Sequence, residues 1–92
     1  MAKLNLDIPH SLSVEEAHAR LDRMTPKLQT DYGAECRWES DHRLLVSRKG
    51  LNATIDVEVS RVHVHMDLGF LLGPLAGRIR EGISRQLSEL LA

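Results

Sequence analysis

The chain has 92 residues, a formal charge of −1, three aromatic side chains and one cysteine. That length makes one domain, residues 1–92, around one core, and near-neutrality argues against a protein whose main task is to neutralise phosphates. A lone Cys36 excludes an intrachain disulfide and a cysteine zinc cluster, and no run approaches the roughly 18 apolar residues of a membrane helix. No basic start followed by an apolar run opens the chain, so the expectation is a cytoplasmic, soluble protein.

Leu4, Leu6 and Ile8 alternate with Lys3, Asn5 and Asp7, which predicts a first strand stopped by Pro9. Ser13-Val-Glu-Glu16 has the form of a capping box, with Ser13 as N-cap and Glu16 reaching back. From there Val14, Ala17, His18, Leu21, Met24, Leu28 and Tyr32 recur at helical spacing, and Gly33 follows as the residue that ends the helix. Pro26 lies inside this helix and predicts a kink, since it removes a hydrogen bond at a cost of about 3 kcal/mol.

Cys36 and Trp38 alternate with Glu35, Arg37 and Glu39, and after a turn at Ser40-Asp41-His42 the inner face continues through Leu44 and Val46. Leu45 is the one apolar residue on the other side. Lys49-Gly50 breaks this strand before the most regular stretch of the chain, Leu51 to Leu72. There Ala53, Ile55, Val57 and Val59, then Val62, Val64, Met66 and Leu68, alternate with polar residues, which predicts a half-buried hairpin. Turning at Ser60-Arg61 pairs Val59 with Val62, Val57 with Val64, Ile55 with Met66 and Ala53 with Leu68, although Ser-Arg lacks the Gly or Asn that tight hairpins favour.

Gly73-Pro74 starts a final helix whose stripe is Leu72, Leu75, Ala76, Ile79, Ile83, Leu87 and Leu90, expected to lie on the hairpin's inner face and to dominate stability. Gly73, Gly77 and Gly82 read as points of close approach to the sheet or a neighbouring helix, with a meeting of two copies through Gly73-x-x-x-Gly77 as the alternative. The fold class is α+β: a two-layer sandwich, β-α-β-β-β-β-α, with one antiparallel five-stranded sheet in the order 1-5-4-3-2. Both helices lie on one face, a compact analogue of the helix-grip arrangement. The other face is polar and wet.

The outer face of the hairpin carries the best constellation for chemistry. The register above sets Glu58 opposite His63 and Asp56 opposite His65, two imidazoles and two carboxylates that suit zinc or acid/base work. Cross-strand ion pairs on an exposed sheet explain the same residues more simply, and a flat face lacks walls. His10 and His42 read as turn residues, and His18 as a histidine at the core edge. Cys36 lacks the neighbours that activate a nucleophile. There is no phosphate-binding glycine motif. The Arg48-Lys49-Gly50 turn and the Arg78, Arg80, Arg85 group are positioned to touch an anion, but neither has the interleaved aromatics of a nucleic-acid surface.

Three strings, PHSLSVEEA, ECRWESDHRLLVSRKGLNATIDV and VHMDLGFLLGPLAGRIREGISRQLSELL, resemble the polyhydroxyalkanoic acid system proteins, small bacterial proteins of about this length. The likeness spans nearly the whole chain and rests on structural landmarks: the Pro9-His10-Ser11-Leu12 entry, the Trp38 strand, the Arg48–Gly50 turn and the lead into the last helix. It implies a cytoplasmic accessory protein of storage-polyester metabolism, with no established activity, cofactor or active site to carry over.

The leading functional expectation is a non-enzymatic accessory domain acting through a granule surface or a protein partner, with no cofactor. Leu71, Leu75 and Leu91 stray from the helical stripe and are the interface candidates, also for a homodimer. Two alternatives stand beside it. One is a helix-grip-like carrier of a small apolar or acyl ligand, which needs a cavity of a few hundred Å³. The other is a metal-dependent site on Asp56, Glu58, His63 and His65.

Overall fold

A computed structural model describes residues 2–92. Five strands, β1 (Ala2–Pro9), β2 (Glu35–Ser40), β3 (Arg43–Arg48), β4 (Leu51–Val57) and β5 (Arg61–Leu68), form one antiparallel sheet in the order β1-β5-β4-β3-β2. Helix α1 (Val14–Tyr32) joins β1 to β2. A 3₁₀ turn, Gly73–Leu75, leads from β5 into α2 (Ala76–Leu90). The expected α+β order and single apolar face are both present: Leu4, Leu6, Ile8, Leu44, Ile55 and Val62 are all buried, together with Ala17 and Leu21 of α1.

Local chemistry explains the first helix. The Ser13 hydroxyl accepts the Glu16 N–H at 3.0 Å, but the Glu16 carboxylate turns to Arg20 Nε at 3.1 Å rather than back to Ser13, so half of the capping box forms. Gly33 adopts φ 65° and its N–H closes on the Gln29 carbonyl at 3.1 Å. The helix runs unbroken through Pro26. Proline leaves the Asp22 carbonyl without its usual donor, and the Thr25 hydroxyl supplies one at 2.9 Å.

The hairpin corrects the expected register. Val57 pairs with Val62, Ile55 with Val64 and Ala53 with Met66, two positions away from the pairing predicted above. The turn is Val59-Ser60, with Glu58 N–H donating to the Arg61 carbonyl at 2.8 Å and their side chains paired at 3.0 Å. His10 braces it: its N–H donates to the Ser60 carbonyl at 3.0 Å and Nε2 to the Glu58 carbonyl at 2.9 Å. The Leu12 N–H donates to His10 Nδ1, which fixes the neutral Nε2–H tautomer. A slip of two preserves which residues face inward, so seven of the eight alternating residues remain buried and only Val59, at 81% exposure, leaves the core.

Helix α2 also departs from expectation. It packs chiefly against β1, and within it Leu87 alone is buried. Ile79 and Ile83 are half-covered and Leu75 is 43% exposed. Nor do Gly73, Gly77 and Gly82 mark close contacts, since a Cβ at any of them meets nothing within 4 Å. Gly77→Ala and Gly82→Ala are each expected to raise stability by about 0.5–1 kcal/mol, read as urea midpoints, because alanine loses less backbone entropy in a helix.

Candidate functional site

The outer face of the sheet is a charge ladder. Across one row, Asp7 of β1, His63 of β5, Asp56 of β4 and Arg43 of β3 stand side by side. His63 Nδ1 donates to Asp7 Oδ1 at 2.7 Å and Arg43 Nε to Asp56 Oδ1 at 2.7 Å. In the next row His65 Nδ1 donates to Asn5 Oδ1 at 2.9 Å. Asp56 therefore faces His63, not His65, while Glu58 leaves the row to hold Arg61. Among the described residues no three His, Cys, Asp or Glu side chains gather as metal ligands would. In the corrected register each of the four candidates is held by a different partner, Asp56 by Arg43, Glu58 by Arg61, His63 by Asp7 and His65 by Asn5, instead of converging on one point. A shallow hollow of about 480 Å³ on this face is lined by exposed or half-exposed side chains such as Arg37, Ser47 and Thr54.

The His63 hydrogen bond, helped by Arg61 at 3.7 Å, holds the Asp7 carboxyl below its usual range against the opposing effect of desolvation. A carboxylate depressed in the folded state stabilises the protein above its unfolded pKa, and this contribution is lost as pH falls through the lower folded value. Asp7→Asn is therefore expected to flatten the decline in urea midpoint as pH is taken down through the ordinary carboxylate range. An unchanged decline would show that the pair contributes nothing.

His18 and Cys36 have surroundings that fit a structural role. His18 stacks on Trp38 with ring centroids 3.9 Å apart and donates from Nδ1 to the Asp41 carbonyl at 2.7 Å, while Trp38 Nε1 donates to Asp22 at 2.9 Å. Partial burial pushes the Cys36 thiol up, the reverse of what a nucleophile needs.

The inner face holds a different feature. At one end the two helices are tied by Arg20 of α1, whose Nη1 donates to the Leu90 carbonyl at 3.1 Å and to the Ala92 carbonyl at 2.7 Å. Sequence reading missed this strap. Its one signal is that α2 has no basic residue in its last turn, so the orphan carbonyls need a cation from elsewhere. At the other end the helices are separated by a groove of about 400 Å³. Leu28 and Tyr32 of α1 form one wall, Ile79, Gly82 and Ile83 of α2 the other, and Val46 the floor.

Beyond the mouth of the groove two turns meet. The Gly69 N–H donates to the Gly50 carbonyl at 2.7 Å, and a Cβ on Gly69 lies only 3.3 Å from Gly50 Cα. That close approach, with Gly50 at φ 85°, sets Arg48-Lys49 beside Phe70-Leu71. Phe70 and Leu71 are 83% and 85% exposed, and Leu75 and Tyr32, which line the groove, are exposed as well. Of the three leucines proposed as interface residues, Leu71 and Leu75 lie on this surface. Leu91 does not: at 3% exposure it belongs to the core, because it follows the buried Leu87 by four residues and its N–H still bonds the Leu87 carbonyl at 2.9 Å.

No helix among the described residues is long and apolar enough to cross a membrane. Among curated proteins and among solved structures, none matches the chain. A family model matches residues 4–91, nearly the whole fold from β1 to the end of α2, and the chain accordingly belongs to the family described as Putative polyhydroxyalkanoic acid system protein.

Proposed function

We propose that this chain is a non-enzymatic accessory protein of storage-polyester metabolism, working by attachment of its Phe70–Leu71 end to the surface of a polyester granule. The observation that carries the reading is the pair of adjacent large apolar side chains, each more than four-fifths exposed, on a turn that contributes neither to the core. An apolar pair held out by a rigid glycine contact suits insertion into a water-excluding surface. Family membership supplies the polyester setting.

The test is pelleting of purified protein with protein-free polyhydroxyalkanoate particles. Saturable recovery in the pellet supports direct attachment. Recovery only when granule-associated proteins are restored to the particles would replace the polymer surface with a protein partner. Self-association draws on the same Leu71 and Leu75, so sedimentation across a concentration range accompanies the assay.

A further inference from the structure

The groove between the helices has properties that the polyester reading does not use. Its twelve lining residues include one charged side chain, Arg48, at the mouth. Arg20, Arg43 and Arg61 each hold a carboxylate, whereas Arg48 holds none among the described residues. Inward, the groove continues past Leu28, Ile83 and Gln86 into a narrower extension of about 80 Å³ bounded by Met24, Met66 and Leu87. Apart from Gln86, nothing polar lines that extension.

Gly82 is the second observation. A glycine in a helix interior is unfavourable, and here no packing contact requires it, because a Cβ at this position meets nothing. It lies on the groove wall, so a side chain there projects into the space rather than into the core.

We infer that the groove binds one aliphatic chain carrying an anionic head group, a single-chain carboxylate amphiphile, with the head on Arg48 and the methylene chain running along Ile83 and Leu28 past Gly82. Charge complementarity selects the head: an unpaired guanidinium offers two parallel donors to a carboxylate. The narrow apolar extension selects the tail, since it admits a flexible chain and offers a ring no polar partner. The volume of about 400 Å³ falls within the range of small-molecule sites. This inference goes beyond granule attachment and does not depend on it.

The experiment titrates the full chain with decanoate, decan-1-ol and decyltrimethylammonium, each kept below its aggregation concentration, by calorimetry and amide chemical shifts. Decanoate is expected to bind saturably, with shifts at Gly82, Ile83 and Leu28, and to bind about tenfold more tightly than the alcohol. Arg48→Gln should abolish that preference while leaving the alcohol unchanged. Gly82→Leu, which the open space accommodates without refolding the core, should weaken both by at least tenfold. Equal binding of the cationic and anionic probes, undiminished binding to Gly82→Leu, or no saturable decanoate binding each overturns the inference. Phe70→Ser/Leu71→Ser should keep its decanoate affinity, which separates a failure here from a failure of granule attachment.

Discussion

Val62→Asp is expected to unfold the domain or remove at least about 4 kcal/mol of its stability, whereas Val59→Asp should leave stability within about 0.5 kcal/mol. The two valines are three residues apart and are partners in the pairing that simple alternation predicts. In the structure Val62 is fully buried between Ile8 of β1 and Val57 of β4, while Val59 stands 81% exposed at the tip of the turn. A carboxylate at Val62 has neither water nor a cation, so it either carries an uncompensated charge or takes up a proton, and both cost several kcal/mol. A chain of this size has only about 5–14 kcal/mol in total. Urea denaturation followed by circular dichroism reads both variants. Equal damage from the two substitutions would restore the Val59–Val62 pairing and move Asp56 back opposite His65.

The face each strand presents was legible because alternation survives a shift of two. Leu44 in and Leu45 half out, or Ile55 in and Asp56 out, follow from period alone. Register was not legible, because it depends on long-range contacts: His10 from β1 holds the Glu58 and Ser60 carbonyls, and nothing near Ser60 in sequence announces that brace. The candidate metal cluster failed for the same reason, since a two-position slip re-pairs the outer-face side chains of the hairpin. The α2 stripe has correct helical spacing, yet spacing says which residues share a side and not how closely the helix approaches. Docking over β1, with Arg20 tying only its C-terminal end, leaves Ile79 and Ile83 half-covered and opens the groove. Leu91 was misread although it lies four residues after Leu87: its N–H still bonds the Leu87 carbonyl at 2.9 Å, so helical geometry carries it onto the same buried side. Phe70-Leu71 carried a sequence signal in its mismatch: of the three large apolar residues between Gly69 and Gly73, these two fall outside either period.

Phe70→Ser/Leu71→Ser is expected to reduce recovery on polyhydroxyalkanoate particles by at least tenfold while leaving the fold intact. Fully burying a large apolar side chain is favourable by about 1.5–3 kcal/mol, so even half-insertion of two such residues exceeds the 1.4 kcal/mol that corresponds to tenfold. Because both side chains are already exposed, their loss removes almost nothing from the core, and urea midpoints should shift by no more than about 0.5 kcal/mol. Leu91→Ser provides the converse control. Leu91 is 3% exposed, so that variant should lose about 2–5 kcal/mol of stability yet keep its affinity while folded. Salt separates the two components of the surface: apolar insertion persists at 1 M, where the Debye length is about 3 Å, whereas attraction through Arg48 and Lys49 is screened away. Attachment that survives the serine pair but vanishes in salt assigns the contact to the two cations and removes the apolar turn from the mechanism.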